Sequence, residues 1–214
     1  MYKIFIKSFL LILCFNSIYC QETVVNKESY ESRFKAPELV YPDNMPFIKE
    51  KIWGDEGLFK KFNIGPDNRI EELKLRRKML QAHQWLGLTT LLGLAYQYQV
   101  GKELYDGNDN DYWDSHYDRH KAMGYLTYAT YMTTASLSIF SPPARVYNDS
   151  FNSIKIHRFL AGIHFTAMVA QPFLAKNAVK NGKKYNELMD LHLKAGTAAF
   201  FALSLDALSI SFLK

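Results

Sequence analysis

Cysteine is almost absent from this chain, and the two that occur are Cys14 and Cys20. Both lie in residues 1–20, where a basic start and an apolar run too short to cross a bilayer predict a signal peptide. A lipoprotein anchor at Cys20 is the alternative. In a mature chain beginning at Gln21, disulfides, thiolate metal sites and cysteine nucleophiles are all excluded.

Charged residues are also scarce, at 22% of the chain, and they concentrate in the N-terminal part and between four apolar stretches. The 48% of apolar residues excludes an intrinsically disordered chain. The formal net charge is +5, but no basic and aromatic motif typical of nucleic-acid binding accompanies it. We therefore expect no nucleic-acid partner, and we assign the basic residues to lipid headgroups or buried anionic groups.

Residues 21–78 contain little that would form a core, and they predict an irregular extracytoplasmic tail. Prolines interrupt any long helix in this segment, and they are Pro37, Pro42, Pro46 and Pro66. The tail is too short for a separate catalytic domain. A redox protein outside the cytoplasm is an expected partner of the chain, and in the scaffold alternative given below the tail would bind a partner there. From Arg69 to Lys78 the charge pattern is helical, so this part should lead directly into the first apolar stretch.

Four apolar stretches of about twenty residues follow, and each is long enough to cross the hydrocarbon core of a bilayer. They cover residues 79–100, 121–140, 157–175 and 192–213. We therefore predict an all-α fold, a transmembrane up-down four-helix bundle over residues 79–214, in a multi-pass arrangement in the bacterial cytoplasmic membrane with the tail outside the cytoplasm. The alternative is a buried soluble bundle, which the signal peptide argues against.

Histidine recurs at the beginning of each stretch, as His83, His120, His157 and His192, at intervals of 37, 37 and 35 residues. Because successive spans alternate in direction, His83 and His157 should lie near the outer face, and His120 and His192 near the cytoplasmic face. Alternate helices are diagonal in an up-down bundle, and two facing imidazoles can ligate a haem iron. The pattern predicts two haem b groups, one per leaflet. Interfacial or packing roles and binding of another metal are the alternatives.

A glycine follows each of these histidines by about one helical turn. The four are Gly87, Gly124, Gly162 and Gly196. Three lie four residues after their histidine, whereas after His157 the four-residue spacing falls on Ala161 and the glycine comes next. Residues four apart share a helix face, so each imidazole should have a gap beside it where a flat macrocycle approaches the backbone. We predict that these glycines contact the cofactor.

Two polar residues inside the stretches add to this pattern. His164 lies seven residues after His157 on the same helix face, so either could be the outer ligand, and the register favours His157. Asp206 is the one carboxylate well inside a stretch, which suggests proton uptake, or else a hydrogen bond with a neighbouring serine or threonine. Basic residues near the ends of the stretches are expected to bind haem propionates or lipid headgroups, namely Arg76, Arg77, Lys78, Arg119, Lys121, Arg158 and Lys194.

The four histidines His83, His120, His157 and His192, on consecutive helices and paired diagonally, resemble the cytochrome b561 family over residues 79–213. The resemblance implies a membrane electron carrier with two b-type haems, which moves electrons from a small reductant or quinol on one side to an acceptor on the other. With four spans and no flanking helices, the chain is similar to a reduced bacterial-type relative. The alternatives are a haem-free membrane scaffold or envelope-complex subunit, and a transporter of metal or small solutes.

Overall fold

A computed structural model describes residues 41–107, 110–147 and 151–212, and helices dominate all three ranges. These ranges contain no β-strand, so the all-α prediction is confirmed for the described residues. The predicted signal peptide, residues 1–20, and the first half of the tail lie outside them.

Two short helices lie in the tail, and four long helices follow. The short ones are α1 (Phe47–Trp53) and α2 (Leu58–Lys61). The long ones are α3 (Arg69–Asp106), α4 (Asn110–Phe140), α5 (Ser153–Lys180) and α6 (Tyr185–Phe212), with a 3₁₀ turn at Gly182–Lys184 between the last two. The shortest long helices have 28 residues, about 40 Å at 1.5 Å per residue. Each predicted stretch falls inside one long helix, except that residue 213 lies outside the described part.

Helices α5 and α6 pack against each other as an antiparallel hairpin. Helix α5 begins after Asn152, whose side-chain Oδ1 accepts a hydrogen bond from the backbone N–H of Lys155 at 3.1 Å. This N-cap satisfies one of the amide donors that a helix start leaves unpaired. The helix ends at Lys180, before the turn that reverses the chain, so its two ends are defined by local sequence.

One segment of the described chain is long and apolar enough to cross a membrane, Gly182–Ile210. It contains most of the fourth predicted stretch. The other three stretches are less apolar because threonine, tyrosine, glutamine and glycine interrupt them. The structure therefore supports one candidate span by length and composition, and the multi-pass arrangement stays a prediction.

The described residues divide into two compact units. The hairpin unit comprises residues 88–131 and 151–212, and the tail unit comprises residues 41–87 and 132–147. Helices α3 and α4 each contribute residues to both units.

The tail unit has a core, although the sequence predicts an irregular tail. The side chain of Trp53, at the end of α1, is only 3% exposed, and its ring packs edge-on against Phe59 with centroids 5.0 Å apart. Its Nε1–H donates to the carbonyl oxygen of Phe140 at 3.0 Å. Gly65 has φ +110°, and a Cβ there would lie 3.1 Å from the Trp53 ring. Pro46 precedes the first residue of α1, so it marks a helix start, whereas the sequence predicts an interruption there.

Basic side chains of the tail unit bind the carboxyl end of α4 and the loop after it. Lys49 Nζ donates to the carbonyl oxygens of Ser138 at 2.8 Å and Ile139 at 3.0 Å, and also to Ser141. Arg69 and Arg76 donate to carbonyl oxygens of the loop, namely those of Pro142, Pro143 and Ala144. The last carbonyls of a helix lack intrahelical partners and favour cations. Arg76, predicted to bind a propionate, thus has a structural partner in the loop.

Candidate functional site

The hairpin unit brings together two of the histidines that the register selects. His120 lies on α4 and His192 on α6, with ring centroids 6.3 Å apart and ring planes at 77°. When two imidazoles bind the same metal ion from opposite sides, each through a nitrogen at about 2 Å, their ring centroids lie about 6 Å apart. The observed separation is therefore compatible with a shared metal ion.

His192 is held by contacts with Gln171 of α5. Its Nδ1 lies 3.3 Å from the carbonyl oxygen of Gln171, and the Gln171 side chain donates from Nε2 to the carbonyl oxygen of His192 at 2.9 Å. A carbonyl oxygen only accepts, so Nδ1 of His192 carries the proton and a neutral ring has its lone pair on Nε2. This is the tautomer that histidine ligands of metals have when an oxygen acceptor binds their other ring nitrogen.

His120 has a different environment. Its Nδ1 is one of two buried side-chain atoms in the described residues without a hydrogen-bond partner, and the other is Nε2 of Gln97. Leaving a buried polar atom unpaired costs about 1–3 kcal/mol, which a ligand that bound it would offset. The ring lies directly against α3, because a Cβ added at Gly101 would be 2.9 Å from its Cε1. Gly101 is therefore the position at which the backbone of α3 makes room for His120.

The space beside each of the four predicted glycines has different neighbours. A Cβ at Gly124 would lie 3.7 Å from Oε1 of Gln97, and one at Gly196 would lie 3.3 Å from Nε2 of Gln171. In the tail unit, Gly87 faces a methyl group of Thr134 at 3.8 Å. A Cβ at Gly162 would meet nothing within 4 Å. Glutamine side chains thus occupy the space beside the two glycines near His120 and His192.

A second polar group of the hairpin unit is centred on Asp206. Its Oδ1 lies 2.7 Å from Nδ1 of His157, and its Oδ2 lies 3.3 Å from Nε2 of His164. The other ring nitrogen of His164 is 2.7 Å from the hydroxyl of Tyr131. Both ring nitrogens of His164 are therefore engaged by protein groups. The partners of the Asp206 carboxylate are histidines, whereas Ser209 bonds to the backbone oxygen of Asp206 at 2.8 Å.

His83 belongs to the tail unit, whereas its predicted partner His157 belongs to the hairpin unit. Nδ1 of His83 lies 2.8 Å from the carbonyl oxygen of Thr134 and must donate to it. His83 and His157 thus resemble His192, since in each ring Nδ1 faces an oxygen acceptor.

The basic residues predicted for propionates differ in their surroundings. Lys194 pairs with Asp190 on the same helix at 2.7 Å, and Lys121 lies over the ring of Tyr117, 5.9 Å from its centroid. Arg76 binds the loop after α4, as described above. The other basic residues of the predicted set are exposed, and they are Arg77, Lys78, Arg119 and Arg158.

Sequence reasoning missed the residues that contact the rings, namely Gly101, Tyr131 and Gln171, and it missed Gln97, which fills the space beside Gly124. A polar glutamine inside an apolar stretch was the available signal for two of them, because such a group needs a partner when buried. No group of three or more acidic, histidine or cysteine side chains suited to a metal ion occurs in the described ranges. Comparison with protein-family models, curated proteins and solved structures gives no match.

Proposed function

We propose that this chain is a di-haem b-type membrane cytochrome, which passes electrons across a membrane between a small reductant or quinol and an acceptor. The observation that carries the proposal is the pair His120 and His192, with ring centroids 6.3 Å apart. If haem binds here, His120 on α4 and His192 on α6 would hold its iron, and no further protein ligand would be needed.

Two further features of this pair support the proposal. The contact with Gln171 leaves the lone pair of a neutral His192 ring on Nε2, and the unpaired buried Nδ1 of His120 marks a polar atom that lacks a protein partner. Bound haem supplies one-electron chemistry, because its iron cycles between Fe(II) and Fe(III). Gly101 and Gln171 hold the two imidazoles, and they make no bond to a substrate.

For the second haem we propose His83 and His157, each considered by itself, as candidate ligands on the regular spacing of the histidines. The support is the tautomer of each ring, because Nδ1 of His83 donates to a backbone carbonyl and Nδ1 of His157 faces the Asp206 carboxylate. Acceptors of these two kinds recur behind histidine ligands of metals. His164 stays the alternative ligand to His157, although protein groups engage both of its ring nitrogens.

The membrane location is part of the proposal. Only 28% of the apolar part of Gly182–Ile210 is buried. The core helix of a soluble protein would be mostly buried, so this segment exposes an unusually large apolar surface. Large apolar side chains of the hairpin unit are also exposed, including Tyr125, Leu126, Phe159, Phe173, Phe201 and Leu205. Lipid chains would cover these surfaces, and we propose four crossings by α3 to α6, with a signal peptide directing the tail to the outside.

The proposal is tested by the reduced-minus-oxidised absorption spectrum of the full chain purified in detergent, together with its haem content. We expect bands of six-coordinate b-type haem and two haems per chain. Protein that expresses well in haem-replete cells but purifies without haem would reject the proposal, and it would favour a haem-free membrane scaffold or envelope-complex subunit.

Replacing Gly101 with alanine tests the position of His120. The new Cβ would be 2.9 Å from Cε1 of the ring, closer than a real Cβ approaches another atom, so the imidazole must move. Overpacking of this kind costs about 1–3 kcal/mol, so we expect roughly tenfold weaker haem binding at this site and unchanged binding at the other. Haem titration of Gly101→Ala and of the unmodified chain measures the affinity of each site.

Gly182→Ala is the matched control, because a Cβ at Gly182 meets nothing within 4 Å. It should bind both haems as the unmodified chain does. If Gly101→Ala also kept full affinity at both sites, His120 would not be held against α3 in the way described.

A further inference from the structure

The short helices of the tail unit expose large apolar side chains. The exposed fractions are 71% for Phe47 and 56% for Ile48 on α1, and 51% for Leu58 on α2. Phe62, directly after α2, is 68% exposed. Exposed apolar groups that lie close together mark a surface that binds a partner or a membrane. We call these four residues the tail face.

On α1 the exposed side is opposite to the side that forms the core. Phe47 and Ile48 lie on one side with Lys51, whose Nζ is 5.6 Å from the centroid of the Phe47 ring. Ile52 and Trp53, on the other side, are buried. A lysine beside an exposed aromatic ring is suited to a membrane surface, because its alkyl chain lies against apolar groups while the ammonium group reaches the headgroups.

The two short helices place their exposed sides next to each other. Lys51 of α1 and Leu58 of α2 line the same surface cavity. Phe62 follows Leu58 by one helical turn, and its backbone N–H donates to the carbonyl oxygen of Leu58 at 3.1 Å. The tail face is therefore continuous from α1 to the end of α2. Asp55 and Glu56, in the turn between the helices, are exposed, and their carboxylates need water.

Both short helices are attached to the end of α4. Trp53 Nε1–H donates to the carbonyl oxygen of Phe140 at 3.0 Å, and the ring of Phe59 stacks on the Phe140 ring with centroids 6.3 Å apart. In the proposed topology α4 leaves the bilayer at this end. Phe47 is six positions from Trp53, about 9 Å along the helix. Amphipathic helices at a membrane surface bury their apolar side to a similar depth, about 5–10 Å.

We infer that the tail face lies in the headgroup region of the outer leaflet, so that phospholipid is its partner. This inference rests on the proposed function, specifically on the crossing of the bilayer by α4, and it does not depend on haem. Attachment to the end of a crossing places the tail face within reach of lipid in every molecule, whereas a soluble partner would have to be recruited. The acidic turn at Asp55 and Glu56 stays on the water side, so neutral headgroups are sufficient.

The experiment is site-directed spin labelling of the full chain in phosphatidylcholine vesicles. Cys14 and Cys20 are replaced by serine, and one cysteine is introduced for labelling as Phe47→Cys or Phe62→Cys. Power saturation compares collisions with oxygen, which concentrates in lipid, and with a water-soluble nickel chelate. We expect oxygen accessibility to exceed nickel accessibility at both positions. Asp55→Cys is the matched control, and it should give the reverse result.

Greater nickel than oxygen accessibility at positions 47 and 62 would overturn the inference. Shielding from both reagents would also overturn it, because a second copy or another protein would then cover the tail face. Lipid exposure at position 55 equal to that at positions 47 and 62 would mean that no particular face is directed to the membrane, and it would overturn the inference as well.

Leu205→Cys tests the proposed membrane location separately, because Leu205 is 55% exposed within the most apolar helical segment. Lipid exposure is expected at this position. If position 205 meets lipid while positions 47 and 62 meet water, the inference fails and the membrane location stands. Water exposure at position 205 would reject the membrane location itself, and the inference with it.

Discussion

Replacing His120 with alanine is expected to remove one of two haems from the purified protein and to leave the other in place. The same loss is expected for His192→Ala, because the two rings lie 6.3 Å apart and would share one iron. The double variant should then lose no more haem than either single variant, since groups that act as a unit are not additive. Haem content and the reduced-minus-oxidised spectrum of each protein measure this.

His116→Ala is the control for these variants. His116 lies on the same helix, one turn before His120, but outside the regular spacing. It should keep both haems. Loss of two haems in the double variant, with one lost in each single variant, would show that His120 and His192 serve different sites.

Replacing Trp53 with alanine is expected to lower the free energy of unfolding of the tail unit by about 3–5 kcal/mol. The ring is 3% exposed, packs against Phe59 and donates to the carbonyl oxygen of Phe140. Trp53→Phe keeps most of the ring but loses the hydrogen bond, so a loss of about 1 kcal/mol is expected for it. Proteolysis of the purified chain at increasing urea concentration reports the stability of this unit.

Phe62→Ala is the comparison for this series, because Phe62 is also aromatic and lies in the tail but is 68% exposed. Its effect should stay within about 0.5 kcal/mol, as for most surface substitutions. Equal protease resistance in Trp53→Ala and Phe62→Ala would mean that Trp53 does not anchor the tail to the end of α4.

The long helices were predictable because apolar stretches of this length have few other folds available. The tail was predicted less well. Prolines in the tail predict interruptions of helices, but Pro46 directly precedes α1, where the absence of an amide hydrogen costs nothing. The buried position of Trp53 could not be predicted, because its main partner, the end of α4, is 87 residues away in sequence.

The histidine pair could be proposed from sequence because successive helices alternate in direction. This alternation alone assigns each of the four histidines to one end of the bundle, and the rotation of each helix about its axis is not needed. The residues that orient the rings depend on rotation, so Gly101 and Gln171 were not found. The partner of Asp206 was within reach, since His157 and Asp206 are equally distant from the turn at Asn181 and Gly182, as are Gln171 and His192. Counting outward from the predicted connection would have brought Asp206 within about a turn of His157.

The hydrogen bonds from Lys49, Trp53 and Arg69 to the backbone between residues 138 and 144 constrain how such a chain is assembled. These donors leave the ribosome long before their acceptors. If α3 and α4 cross a bilayer, the donors and acceptors can meet only after α4 has been inserted, on the side to which the tail was exported. The tail would thus bind the end of α4 at a late step of biogenesis. Its hydrogen bonds would then hold α3 and α4 in their final topology.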